Sequence, residues 1–143
     1  MGDDSRLKLV DSNILVYAYD KSNPVKHMAA KEMVKEIWLN NNGALSIQNL
    51  AEFYSIVTKK IEEPISPEIA KQILVDLIEG FEIFSYSGNT IVNAANMQMI
   101  YGMPFWDSLI VATMEEHGID AIITEDEKHF RKVRWIKAIN PFK

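Results

Sequence analysis

The sequence predicts an α/β fold in three layers, with helices on both faces of a central parallel sheet of about four to five strands. Three observations predict it. Short apolar runs alternate with longer segments of helical period from one end of the chain to the other. The run Ala121-Ile122-Ile123-Thr124 is continuously apolar, as a strand buried on both faces must be. The helical segments also carry their own punctuation, serine or proline at the start and glycine or asparagine at the end.

The elements follow in order. Leu7 to Val10 reads as the first strand, and a helix starts near Ser12. Pro24 opens a second helix, with Met28, Ala29, Met33, Val34, Ile37 and Trp38 at helical spacing and Asn40-Asn41-Asn42-Gly43 as its stop. Ala44 to Ile47 is a second strand, followed by a helix with Leu50, Phe53, Tyr54 and Val57 on one face. Pro64 and Pro67 break the chain. Ser66-Pro67-Glu68 starts the next helix, lined by Ile69, Ile73, Leu74, Leu77 and Ile78 and ended by Gly80. Phe81 to Phe84 is the third strand. A helix through Ile91, Ala94, Ala95 and Met99 ends at Gly102, and another runs from Trp106 to His117 before Gly118. The strand Ala121 to Thr124 follows, and Arg134-Trp135-Ile136 reads as the last edge strand. No repeat or long linker divides the chain, so 1–143 reads as one domain.

Composition narrows the class. At 143 residues and 48% hydrophobic, the chain can bury a real core. Its net charge of −5 excludes a basic wrapper of nucleic acid, so any nucleic acid must be met by local cations or bound metal. With no cysteine, disulfides and thiolate metal sites are excluded. No apolar run approaches the roughly 20 residues of a membrane span. The stretch Met1-Gly2-Asp3-Asp4-Ser5 lacks a signal peptide's apolar segment, so a soluble cytoplasmic protein is expected.

Four acids fall in telling places. Asp11 ends the first strand, Glu52 sits in the first turns of the helix after the second, Asp107 opens the helix at Trp106, and Asp126 follows the fourth strand. In a parallel sheet these places share one rim, outside the carboxyl ends of the strands. Four carboxylates on one rim repel one another. A divalent cation with a preference for oxygen, Mg2+ or Mn2+, would offset that repulsion. Each acid also has a plainer reading: Asp11 as a helix cap, Glu52 as a surface residue, Asp107 as a helix-start acid, and Asp126 as part of a solvated Glu125-Asp126-Glu127 loop, where Glu125 is a further candidate ligand. Asp107 shares a face with Ile110, Val111 and Met114, which turns it toward the sheet. Phosphate-cradling glycine loops, a nucleophile elbow and zinc-protease histidine spacing are all absent. His27 reads as exposed, His117 as a stabilising residue of its helix's last turn, and His129 as a substrate contact.

These stretches resemble the motifs of PIN-domain ribonucleases. Val10-Asp11-Ser12-Asn13-Ile14-Leu15 is similar to their opening motif and Gln48-Asn49-Leu50-Ala51-Glu52-Phe53 to the second. Phe105 to Ala112 is similar to the third, and Thr124-Glu125-Asp126-Glu127-Lys128-His129-Phe130 to the fourth. The four occur in order from about Leu7 to Phe130, and the subgroup they most resemble is the toxin of VapBC-type toxin–antitoxin pairs. The resemblance implies a Mg2+- or Mn2+-dependent endoribonuclease, usually a homodimer, silenced by a cognate antitoxin. It implies one metal site built from Asp11, Glu52, Asp107 and Asp126, with Asn13 and Thr124 as support. Lys59, Lys60, His129, Arg131 and Lys132 are candidates to meet RNA phosphates. A PIN fold that docks RNA or a protein without cleaving is the alternative. A haloacid-dehalogenase-like phosphatase would need an aspartate where Asn13 stands, and a receiver domain would need one on the Phe81–Ser85 strand.

Overall fold

A computed structural model describes residues 6–143; the Met1 to Ser5 stretch read above lies outside them. Five strands form one sheet: β1 (Lys8–Val10), β2 (Gly43–Ser46), β3 (Glu82–Phe84), β4 (Ala121–Ile123) and β5 (Lys137–Ile139). Every pairing is parallel, and the order across the sheet is β3-β2-β1-β4-β5. The chain therefore builds outward from β1 to β3, then crosses back to lay β4 on β1's other edge. That reversal creates a crevice beyond the ends of β1 and β4, the place where parallel sheets bind ligands.

Alternation along the strands divides the core. Val10, Leu45 and Ile123 point to one face, where they meet α1 (Ser12–Tyr19), α2 (Pro24–Asn40), α3 (Ile47–Val57) and α4 (Pro67–Gly80). Leu9, Ala44 and Ile122 point to the other, under α5 (Gly88–Tyr101), α6 (Phe105–His117) and the short α7 (Glu127–Phe130). Such two-sided burial is what the apolar β4 run demanded. The helix boundaries obey local chemistry. Asn23 caps α2 by accepting from Lys26 N, Ser66 caps α4 by accepting from Ile69 N, and both helices open on proline. Asn41, Gly102 and Gly118 end α2, α5 and α6 in the left-handed conformation. Gly80 lies so close to the Trp38 indole that a Cβ would stand 2.4 Å from the ring.

Several expectations need correction. The last strand is Lys137–Ile139, not Arg134–Ile136. Val133 and Ile136 are buried three residues apart, the spacing of a turn rather than a strand, and Ile136 N donates to Val133 O. Pairing to β4 begins only beyond that turn. Ile47 belongs to α3, not to β2. On α4 the inward face is Ala70, Ile73, Leu74 and Leu77, leaving Ile69 and Ile78 exposed. On α5 it is Thr90, Ala94 and Met97, leaving Ile91 and Met99 exposed. Met28 is likewise exposed on α2, where Ala30, Val34 and Ile37 are the buried residues. His27 is half-buried, its Nδ1 2.9 Å from Tyr17 O. No helix among the described residues is long and apolar enough to cross a membrane.

Candidate active site

Asp11 sits where β1 becomes α1. Its backbone N–H still donates to Ile123 O at 2.9 Å, extending the β1–β4 ladder by one residue. The chain then turns into α1 with Asp11 as the capping residue, and Asp11 Oδ1 accepts from Ser12 N at 2.8 Å. Asp11 Oδ2 accepts from the hydroxyl of Thr124, the residue after β4, at 2.7 Å. Only 4% of Asp11 is exposed and Thr124 is fully buried.

The other acids join through small polar side chains. Ser46 and Asn49 form a capping box that fixes the start of α3, and Glu52 follows one turn on. Ser12 Oγ donates to Glu52 Oε1 at 3.1 Å and stands 3.5 Å from Asp11 Oδ1. Thr124 Oγ1 accepts from Asp126 N at 3.0 Å while donating to Asp11. Asn13 uses both ends of its amide: Nδ2 donates to Asp126 Oδ2 at 3.2 Å and Oδ1 accepts from Glu125 N at 3.3 Å. One continuous path, Glu52–Ser12–Asp11–Thr124–Asp126–Asn13, thus runs across the crevice. Asp107 lies in the first turn of α6, with His129 Nδ1 2.6 Å from its Oδ2. Gln48 Nε2 donates to Trp106 O at 3.1 Å, tying the start of α6 to the start of α3.

Electrostatics register the crowding. Burial pushes the Asp11 carboxyl up from 3.8 to about 7; the bonds from Thr124 and Ser12 oppose this, and the charges of Asp107 and Glu52 add to it. Burial also raises Glu52, against the bond from Ser12 and with the charge of Asp107. Asp107 is raised by burial and by Asp126 despite its contact with His129. Among the described residues no three acidic or histidine side chains stand close enough to form a ready-made metal cage. The donor chemistry nevertheless suits a hard cation. The groups are carboxylate oxygens, they disfavour one another's charge, and burial makes the most enclosed of them, Asp11, reluctant to ionise without a cation beside it.

Of the residues singled out in the sequence, Asp11, Asn13, Glu52, Asp107, Thr124 and Asp126 all reach this crevice. Asp11 is at once a helix cap and a member of the cluster. Glu125 turns to Tyr17 OH, 3.2 Å away, and to an ion pair with Lys26. The Glu125–Glu127 run is a solvated loop only in part: Asp126 is exposed, but Glu127 is buried and opens α7. Lys59 and Lys60 lie beyond the far end of α3, roughly 16 Å from its rim end for eleven residues of helix. Arg131 bonds Glu127 and Lys132 bonds Gly102 O. His129 reaches the cluster through Asp107. Ser12 and Gln48 were missed as linkers. Ser12 read only as a helix starter, and nothing local distinguishes a hydroxyl that bridges to an acid forty residues on.

The PIN domain family model matches residues 8–136. No curated protein matches the chain. Among solved structures, VapBC2 from Rickettsia felis bound to a promoter DNA fragment is similar at 19% identity, covering 94% of this chain and 98% of that one, with a TM-score of 0.67. A toxin–antitoxin complex from Klebsiella pneumoniae is similar at 19% identity over 94% of this chain and 97% of that one, TM-score 0.66. The Sarcin-Ricin loop cleaving toxin VapC20 of Mycobacterium tuberculosis is similar at 13% identity over 80% and 85%, TM-score 0.61. At these identities the likeness is one of fold.

Proposed function

The chain belongs to the PIN domain family, and from that premise we propose that it is a metal-dependent endoribonuclease acting as the toxin of a toxin–antitoxin pair. The observation that carries the reading is the hydrogen-bonded path that draws Asp11, Glu52 and Asp126 to one crevice, with Asp107 coupled to them by charge. Asp11 and Asp107 would be the principal holders of Mg2+ or Mn2+, with Glu52 and Asp126 completing the set directly or through water. A bound ion of this kind activates water near neutral pH and neutralises charge developing on phosphate oxygens. Thr124 and Ser12 fix the Asp11 carboxylate, and Asn13 fixes Asp126, so that the acids keep their places when ionised. His129 holds Asp107 from the other side. The toxin role and a cognate antitoxin are supported by the solved relatives, two of which are toxin–antitoxin complexes; a homodimer is part of the same proposal and rests on the motif resemblance alone.

The test is cleavage of an RNA pool by protein freed of contaminating nucleases. Wild type cuts with Mg2+ or Mn2+ and stops with EDTA, while Asp11→Asn and Asp107→Asn each fall by at least about a hundredfold. Cleavage that survives Asp11→Asn sinks the site assignment. A wild type that cuts nothing leaves the non-cleaving binding module as the better reading.

A further inference from the structure

Next to Asp126, on the α1 side of the cluster, opens a cavity of about 460 Å3 lined by Lys26, Asp126, Lys128, His129, Phe142 and Lys143 among others. That volume is within the range of small-ligand sites. Its wall is built. Glu127 is buried and accepts from Asn140 Nδ2 at 3.2 Å and from Lys143 Nζ at 2.5 Å, fastening residues 140–143 onto α7. Phe142 N donates to Asn140 Oδ1 at 2.9 Å, and the Phe142 ring meets Tyr17 edge-on with centroids 5.2 Å apart. Lys26 lies over both rings, 5.1 Å and 5.4 Å from their centroids. One end of the cavity is therefore a fixed aromatic surface and the other is the cluster itself, since Asp126 and His129 line the cavity and His129 touches Asp107.

The charges sort in the same direction. Glu125 and Glu127 also line the cavity, but Glu125 is paired with Lys26 and Glu127 with Lys143 and Arg131. An ammonium has three donors, so Lys26 and Lys143 keep donors for a second acceptor. Lys128 is exposed and forms no ion pair with any described residue. An aromatic face with ammonium donors beside it is the pairing by which single-stranded nucleic acid is held, base on ring and phosphate on cation.

We propose that this cavity is a subsite for single-stranded RNA, taking one nucleotide adjacent to the cleaved bond with its base against Phe142 and its phosphate at Lys128. The assignment rests on the nuclease reading for its orientation, but binding tests it separately. Anisotropy of a short fluorescein-labelled oligouridylate is measured on the full chain carrying Asp11→Asn, across a salt series. Phe142→Leu added to that background weakens binding about five- to tenfold with the salt slope unchanged. Lys128→Gln weakens it and flattens the slope of log K against log salt by about 0.7, the share of one phosphate contact on a single strand. Lys71→Gln, at an exposed position of α4, serves as the charge control and leaves both unchanged. If Phe142→Leu melts early, Lys128→Gln decides alone. Wild-type binding by both cavity variants, or no binding by the background protein, overturns the subsite. Wild-type cleavage alongside unaffected cavity variants removes the subsite and keeps the nuclease. Variant-sensitive binding without any cleavage by wild type removes the nuclease and keeps the subsite.

Discussion

Asp11 pits stability against charge. Its carboxyl is nearly inaccessible and sits near two other acids, so the folded protein holds its proton up to about pH 7, whereas the unfolded chain releases it near 3.8. Below 3.8 both states are protonated and the site costs nothing. As pH rises through that window the folded state must either keep a proton or bury a charge, and stability falls until it levels above about 7. Asp11→Asn therefore stabilises the metal-free protein by about 2–4 kcal/mol at pH 8, a few to ten degrees in thermal melts with EDTA, and by nothing near pH 3.5. An equal gain at both pH values would show that the carboxylate's charge is not the cause. Thr124→Val removes the hydroxyl that bridges Asp11 and Asp126, and titration calorimetry should then show Mn2+ binding weakened about 10- to 100-fold. At this scale the sequence was informative about which residues gather at the crevice and silent about how they touch. Asp11 could be picked out from local context, at the end of the first strand, whereas Asn13 and Thr124 were reached only through the motif resemblance. The Ser12–Glu52 bond joins residues forty apart, and no local pattern encodes it.

At the scale of elements, the ends of helices were more legible than their faces. Proline, serine, asparagine and glycine act through their own backbones, so the starts of α2 and α4 and the stops of α2, α5 and α6 could be read directly. The faces of α4 and α5 could not, because both helices carry apolar residues on more than one side and only the packed fold selects which side is covered. The Arg134–Ile136 run failed as a strand for a related reason: its apolar residues serve a turn that ends before pairing begins. The capping box of α3 is the device that aims Glu52. Ser46→Ala leaves Asn49 N without its acceptor and should cost about 1–2 kcal/mol in urea unfolding, with the slope unchanged. Loss of this size with intact Mn2+ affinity would mean that α3 is held in register by its packing alone.

For the whole molecule, the cluster and the fold are thermodynamically linked. A cation that binds only the folded chain stabilises it by mass action. Mn2+ at about one hundred times its dissociation constant should raise the unfolding free energy by about 2.7 kcal/mol, reversibly with EDTA, and the increment should vanish in Asp11→Asn and Asp107→Asn. A rise that persists in both variants would place the ion elsewhere. The overall class was legible because it depends on counts and alternation, which survive local errors. The strand order was not, since the placement of β4 beside β1 is decided by contacts between residues more than a hundred apart.

That strand order also imposes a schedule on synthesis. Chains emerge N-terminus first, and β1 is made early while β4, its partner on the other edge, is made more than a hundred residues later. Until β4 arrives, Asp11 has no Thr124 to hold it and no Asp126 across from it. A nascent or truncated chain therefore carries Asp11 and Glu52 without the assembled cluster, and the geometry comes into being only when the crossover from β3 to β4 closes.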